Sequence, residues 1–174
     1  MGPESIKLNL SLRNVKMLVL DVDGVLTDCR LWMDSDGEWK RFYSIRDGVG
    51  IKRLIESGYK LAVITGSKAE DIRQRVKNLG IQFFYEGAAD KVPSFLELQK
   101  VSGFHVGEMA YIGDDIFDIP LLQEVAFGVT VPEAVEEVLE VARYVTKRPG
   151  GNGAVREVCD LIFKHGAFSS SGRS

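Results

Sequence analysis

Met17–Asp28 reads MLVLDVDGVLTD, and the fold is decided there. Its first four residues, Met17, Leu18, Val19 and Leu20, form an uncharged apolar run, the pattern of a strand buried on both faces of a sheet. Two aspartates follow at a spacing of two, Asp21 and Asp23, and then Gly24. If the strand ends at Asp21, both carboxylates stand at its carboxyl edge, where open α/β sheets bind ligands. Unpaired charge is costly to bury, so two acids here point to a cation or a reaction; an acidic turn is the plainer reading.

Working outward, the strand pattern recurs. Arg30–Met33 and Glu38–Tyr43 flank the turn-rich Asp34-Ser35-Asp36-Gly37, which predicts a β-hairpin within 28–45. So short a hairpin cannot bury both Trp32 and Trp39 by itself, and an interface or substrate lid accounts for them better than core packing. Asp47 is expected to cap a helix from Gly48 to Ser57, with Val49, Leu54 and Ile55 inward and Gly58 as its stop. A strand over Tyr59–Ile64 ends in Thr65-Gly66-Ser67. Ser67-Lys68-Ala69-Glu70 has the form of a capping box, opening a helix with Ile72, Val76 and Leu79 inward and Gly80 at its end.

Ile81–Tyr85 reads as the next strand, and Asp90-Lys91-Val92-Pro93 starts a helix carrying Phe95, Leu96 and Leu98 towards Val101. Met109–Ile112 is a strand closing in Gly113-Asp114-Asp115-Ile116-Phe117-Asp118. Helix over Leu121–Val125, strand over Ala126–Val131, helix over Pro132–Ala142 and a short strand at Arg143–Thr146 follow. A glycine-rich loop, Arg148–Gly153, precedes a last helix, Ala154–Phe163. Leu8, Leu10 and Leu12 leave Met1–Lys16 undecided. Strands alternating with helices at this spacing require parallel pairing with helices on both faces. The expected fold is therefore α/β, a Rossmann-like three-layer α/β/α sandwich with a mostly parallel central sheet and a β-hairpin flap. One domain is expected over 1–166, followed by a flexible polar tail, 167–174.

Composition narrows the function. The chain has 174 residues, 45% of them hydrophobic and 27% charged, ordinary for a globular domain. A net charge of −3 supplies no basic excess for nucleic acid or an anionic membrane. No apolar run approaches the roughly 20 residues of a membrane span, and no secretory h-region opens the sequence. Cys29 and Cys159 are far apart and in no metal or redox spacing, so reduced thiols and a cytoplasmic setting are expected.

The polar exceptions in the apolar strands all fall at C-terminal ends: Asp21 and Asp23, Thr65, Lys91 shortly after the third strand, Asp114 and Asp115. A parallel sheet brings these ends to one edge, and the combination is far more specific than any part. It describes magnesium-assisted phosphoryl transfer. Oxygen-only ligands suit a hard cation, and His105 and His165 are isolated and expected at the surface. One carboxylate can attack phosphorus while the second protonates the leaving oxygen and later activates water. Thr65, Lys91 and backbone N–H groups such as that of Gly66 can hold the phosphoryl oxygens. Receiver domains of response regulators use similar groups, but with an adjacent acidic pair early and a lone phosphoacceptor on a middle strand; the order here fits a hydrolase better.

DVDGVLTD, ITGS, DK and GDDIFD, in this order, resemble the four motifs of the haloacid dehalogenase superfamily. The resemblance implies Asp21 as nucleophile, Asp23 as general acid/base, Thr65 and Lys91 on phosphate, and Asp114 with Asp21 and the Asp23 carbonyl around Mg²⁺. Asp115 and Asp118 are then supporting acids. Beyond the motifs, LRNVKMLVLDVDGVLTD, IRDGVGIKRL, YIGDDIFDIPLL and GGNGAVREVCDLI are similar to the capless group containing 3-deoxy-D-manno-octulosonate 8-phosphate phosphatases, over roughly Leu12 to Gly166. That similarity implies no large cap domain, a phosphorylated keto-sugar acid as substrate, a place in lipopolysaccharide biosynthesis, and a homotetramer joined through the hairpin bearing Trp32 and Trp39. Phosphatases of nonulosonate 9-phosphates belong to the same group; a neutral sugar phosphate or nucleotide, or a slowly hydrolysing phosphoacceptor module, are the other readings. Members commonly carry arginine directly after ITG, a good carboxylate partner. Here Ser67 stands there, which leaves Arg46, Lys68, Arg73, Arg148 or Ser67 itself as candidate substrate contacts.

Overall fold

The structure, a computed structural model, describes residues 10–168. Six strands form one parallel sheet: β1 (Met17–Leu20), β4 (Lys60–Thr65), β5 (Phe83–Glu86), β6 (Met109–Ile112), β7 (Phe127–Thr130) and β8 (Tyr144–Val145), in the order β5-β4-β1-β6-β7-β8. Two further strands, β2 (Leu31–Met33) and β3 (Trp39–Arg41), pair only with each other as an antiparallel hairpin. Helices α1 (Ile45–Glu56), α2 (Glu70–Leu79), α3 (Val92–Ser102), α4 (Ile119–Glu124), α5 (Glu136–Val141) and α6 (Ala154–His165) make the connections. The parallel α/β sandwich and the separate hairpin expected from the sequence are both present.

β1 lies at the centre because every one of its four side chains is apolar and fully buried. Leu18 pairs with Leu61 on one side and Ala110 on the other. Successive side chains of a strand face opposite ways. Leu18 and Leu20 accordingly join a core with Ile51, Leu54 and Val158, while Met17 and Val19 join one with Phe95, Leu98 and Tyr111. The chain runs outward from β1 through β4 to β5, then returns to β6 on the other side. That reversal leaves a crevice at the carboxyl ends of β1 and β6, where doubly wound folds bind ligands.

Two expected helix starts are corrected. The helix expected from Gly48 begins at Ile45, and its N-cap is Ser44, whose hydroxyl accepts from the Asp47 N–H at 3.3 Å. The Asp47 carboxylate caps a different helix. It accepts from Gly153 N at 3.2 Å and Arg156 N at 2.7 Å, at the N-terminus of α6. A carboxylate on free amides at the positive end of a helix is favourable, and this one ties α1 to α6. Val49, expected inward, is exposed, whereas the buried face of α1 carries Gly48, Gly50, Ile51 and Leu54.

The second correction concerns Ser67. α2 starts at Glu70 with no side-chain cap, because the Ser67 hydroxyl is spent on Asp23. Smaller shifts have local causes. α5 starts at Glu136, not Pro132, since the Val135 N–H bonds to the Asp114 carbonyl at 3.1 Å and is drawn out of the helix. Ala167 and Phe168, placed in the tail by sequence, bond back to Val15 O and the Tyr59 hydroxyl. The rest of that tail, and Leu8, lie outside the described residues. Cys29 and Cys159 are both free, and among the described residues no helix is long and apolar enough to cross a membrane.

Asp47→Ala leaves two buried helix-end amides without an acceptor. It is expected to cost about 3 kcal/mol and to lower the melting temperature by roughly 6–12 °C, read by circular dichroism. An unchanged melt would refute the capping role.

Candidate active site

The residues that converge are those at strand ends. One carboxylate oxygen each from Asp21, Asp114 and Asp118 lies within 4.8 Å of the others. Asp21 follows β1, and its N–H extends the ladder to Ile112 O at 3.0 Å. Gly24 makes the approach of Asp114 possible. A Cβ at Gly24 would sit 1.8 Å from Asp114 Oδ2, and its φ of +84° is one that glycine adopts without strain.

Asp118 explains itself in the structure. Its fully buried carboxylate accepts from Lys91 Nζ at 2.5 Å, the Tyr111 hydroxyl, and the N–H groups of Asp114 and Asp115 at 2.9 and 3.1 Å. It holds the Asp114 loop in shape and fixes Lys91, whose Nζ also reaches Asp21 Oδ1 at 2.9 Å. Asp115 is exposed and caps the turn Ile116–Asp118 through the Ile116 N–H. Sequence reasoning missed Tyr111, which alternation along β6 could have flagged as a polar tip inside an apolar strand.

Burial, above all, raises the Asp21 pKa to about 7, with Lys91 opposing and Asp118 adding to the rise. Asp114 is pushed up to about 7 as well, by burial and then by the charges of Asp21 and Asp118. For Lys91, desolvation is outweighed by Asp21 and Asp118, so its ammonium titrates above the ordinary lysine value. Three acids sharing one ammonium leave excess negative charge, and an all-oxygen cluster of this kind can hold a hard divalent cation.

A second group surrounds Asp23. Arg41, from β3, forks onto it, with Nε to Oδ1 at 2.6 Å and Nη2 to Oδ2 at 3.2 Å. The Ser67 hydroxyl donates to Asp23 Oδ2 at 2.8 Å, and Arg41 Nη2 lies 3.2 Å from the same hydroxyl. Asp71 on α2 accepts from the Arg41 main-chain N–H at 3.1 Å and from Nη1 at 3.2 Å, and takes the Tyr43 hydroxyl at 3.3 Å. Although burial works against the Asp23 carboxylate, hydrogen bonds from Arg41 and Ser67 outweigh it and hold its pKa below the usual value. Thr65, buried at the end of β4, joins this group by accepting from Ser67 N at 3.2 Å; Gly66 is exposed beside it.

The candidate substrate contacts separate. Ser67 is at the site. Arg73 pairs with Glu86 and Glu70 on the surface, and Lys68 lies across Gly87. Arg46 and Arg148 line, with Lys147, Arg156 and Lys164, a pocket of about 620 Å³ whose walls include none of Asp21, Asp23, Thr65, Lys91 or Asp114. Arg41 and Asp71 were not singled out from sequence. The signal was the missing cation after ITG, which called for a cation from elsewhere in the chain.

Acids after β1 and β6, a shared buried lysine and a threonine after β4 define a hydrolase of phosphoryl groups. The model of haloacid dehalogenase-like hydrolases matches residues 83–158. The 3-deoxy-D-manno-octulosonate 8-phosphate phosphatase of Escherichia coli K12 is 39% identical over 161 residues, covering 92% of this chain and 86% of that protein. The enzyme of the same name from Yersinia pestis is 40% identical over the same coverage. A HAD superfamily (subfamily III A) hydrolase from Legionella pneumophila superposes with a TM-score of 0.91 at 42% identity, covering 93% of this chain and 89% of that one. The Moraxella catarrhalis 3-deoxy-D-manno-octulosonate 8-phosphate phosphatase, solved with a magnesium ion, phosphate ion and KDO molecule, gives 0.89 at 38% identity and 92% of both chains. This chain belongs to the haloacid dehalogenase-like hydrolases, and within them it is a phosphatase of the octulosonate-phosphatase type.

A divalent cation should relieve the repulsion among Asp21, Asp114 and Asp118. At pH 8, Mg²⁺ at 100 times its dissociation constant is expected to add about 2.7 kcal/mol to wild-type stability. Asp114→Asn is expected to melt higher than wild type without metal and to lose most of the Mg²⁺ shift, both read by thermal denaturation.

Proposed function

We propose that this phosphatase hydrolyses 3-deoxy-D-manno-octulosonate 8-phosphate through an aspartyl-phosphate on Asp21, with Mg²⁺ as cofactor. The observation that carries the reading is the junction of Asp21 and Asp114 across β1 and β6 with Lys91 salt-bridged to Asp21. Asp21, Asp114 and the Asp23 main-chain carbonyl are the groups that would hold the ion, which when bound supplies positive charge to the phosphoryl oxygens. In the first displacement an Asp21 oxygen forms a bond to phosphorus and the ester P–O bond breaks. Asp23 gives its proton to the leaving sugar oxygen. In the second, water attacks phosphorus while Asp23 takes its proton, and Asp21 is released with inorganic phosphate.

Lys91 and Thr65, with the backbone N–H of Gly66, are the groups for the equatorial oxygens; because Asp118 and Tyr111 fix Lys91, its ammonium needs little reorganisation. The substrate assignment is supported by the names of the two curated relatives and the sugar acid in the Moraxella structure. Lipopolysaccharide biosynthesis and a cytoplasmic setting go with that substrate. Phosphate release from 3-deoxy-D-manno-octulosonate 8-phosphate should depend on Mg²⁺ and exceed that from nonulosonate 9-phosphates. Asp21→Asn should lower it by about 10⁴-fold; multiple turnover by that variant would sink the aspartyl-phosphate route.

A homotetramer built on the hairpin is also proposed. Leu31, Trp32, Met33, Trp39 and Phe42 are all exposed on a two-stranded element, with Trp32 stacked on Phe42 at 6.1 Å. An apolar patch of this kind marks an interaction surface. Light scattering should give a tetramer mass for wild type and a smaller species for the Trp32→Glu/Trp39→Glu protein. A tetramer in both would place the interface elsewhere.

A further inference from the structure

Arg41 is the least expected group at the site. Its side chain is only 7% exposed, although its hairpin neighbours Leu31 and Trp39 are exposed. A guanidinium forked onto a carboxylate is the arrangement by which arginine recognises planar anions. Here the fork is occupied by Asp23, whose Oδ2 also takes the Ser67 hydroxyl. In the reaction proposed above, Asp23 must face the leaving oxygen. A carboxylate with both oxygens engaged by a cation is poorly placed for that task.

The contacts on the other side of Arg41 are of a different kind. Asp71 binds its main-chain N–H as well as Nη1, and takes the Tyr43 hydroxyl from the segment just after the strand. These anchor the hairpin to α2 without using the face of the guanidinium that Asp23 occupies. Arg41 can therefore give up Asp23 and remain over the site. Of the other cations, Lys91 is committed to Asp21 and Asp118, and Arg73 to Glu86 and Glu70.

The geometry points to Arg41 as the specificity residue for the substrate's own carboxylate: the sugar acid replaces Asp23 in the fork, and Asp23 is freed for the leaving oxygen. This rests on the proposed function, because it needs a substrate that carries both a phosphoryl group and a carboxylate. It adds that one hairpin residue couples recognition of the distal acid to release of the acid/base.

The test compares wild type, Arg41→Gln and Arg41→Lys on 3-deoxy-D-manno-octulosonate 8-phosphate and on mannose 6-phosphate, an ester without a carboxylate. Arg41→Gln is expected to lower kcat/KM for the sugar acid about 30–100-fold, mostly through KM, and, with Asp23 no longer held in the fork, to raise turnover of the neutral ester about threefold or more. Arg41→Lys should recover part of the loss. Because Ser67 Oγ lies 3.2 Å from Arg41 Nη2, Arg41→Gln/Ser67→Arg can return a guanidinium to the same place, and the sugar-acid preference should return with it. Free 3-deoxy-D-manno-octulosonate should inhibit wild type competitively and Arg41→Gln far less, a readout independent of turnover by the variant. Equal losses on both esters, or none on either, would overturn the role of Arg41 while leaving the phosphatase assignment standing. A wild type that hydrolyses mannose 6-phosphate and ignores the sugar acid would overturn the substrate, and this inference with it.

Discussion

One buried ammonium answers two buried carboxylates, and the remainder of the fold is arranged to keep it there. Lys91 is buried, and it meets Asp21 and Asp118 together. Removing one partner of such a set leaves an uncompensated buried charge, costing about 3–5 kcal/mol. The cost accounts for the care taken around it. Asp118 is braced by two main-chain amides and Tyr111, and Asp21 is fixed by the ladder to β6. Lys91 sits at the head of α3, where the Asp90 side chain orders the turn by accepting from Val92 N.

The site thus has two parts with different mechanical character. Asp21, Thr65 and Asp114 belong to strand ends at the buried centre of the sheet, so their relative positions are those of the sheet itself. Asp23, Ser67 and Arg41 meet across a loop, a helix entrance and a hairpin, joined by side-chain contacts alone. On the proposed mechanism the first part stabilises charge on the phosphoryl group, which calls for preorganisation, while the second joins the acid/base to the group that would read the sugar acid, which calls for adjustment.

Much of this was legible in sequence because the strands are uniformly apolar and their polar residues fall at one end. β6 was read to its exact bounds, and the convergence of Asp21, Lys91 and Asp114 follows from parallel topology alone. Errors came where a short polar side chain had two possible partners. Ser67 fits a capping box by spacing, and Asp47 fits a local cap, but each bonds to a residue far along the chain. Local pattern cannot show that competition. Arg41 escaped for the same reason, since β-pairing of the hairpin predicts its side of the strand and not the carboxylate it meets. Asp118 was read as a supporting acid; its bond to Lys91 depends on a turn that spacing does not specify.

The long-range cap on α6 bears on the order in which the protein can be completed. Asp47 lies 106 and 109 positions before the amides it receives. During synthesis from the N-terminus, α1 emerges with a carboxylate destined for burial, and nothing to receive it exists until residues 153–156 have left the ribosome. The Val158, Cys159 and Ile162 face of α6 must arrive with them to cover the core over Ile51 and Leu54. Assembly of the leading half of the sheet is therefore provisional until the last helix docks, as expected when long-range contacts close late. A nascent chain stalled before that point would present an apolar face and an unpaired acid together, a state suited to chaperone capture rather than to slow independent folding.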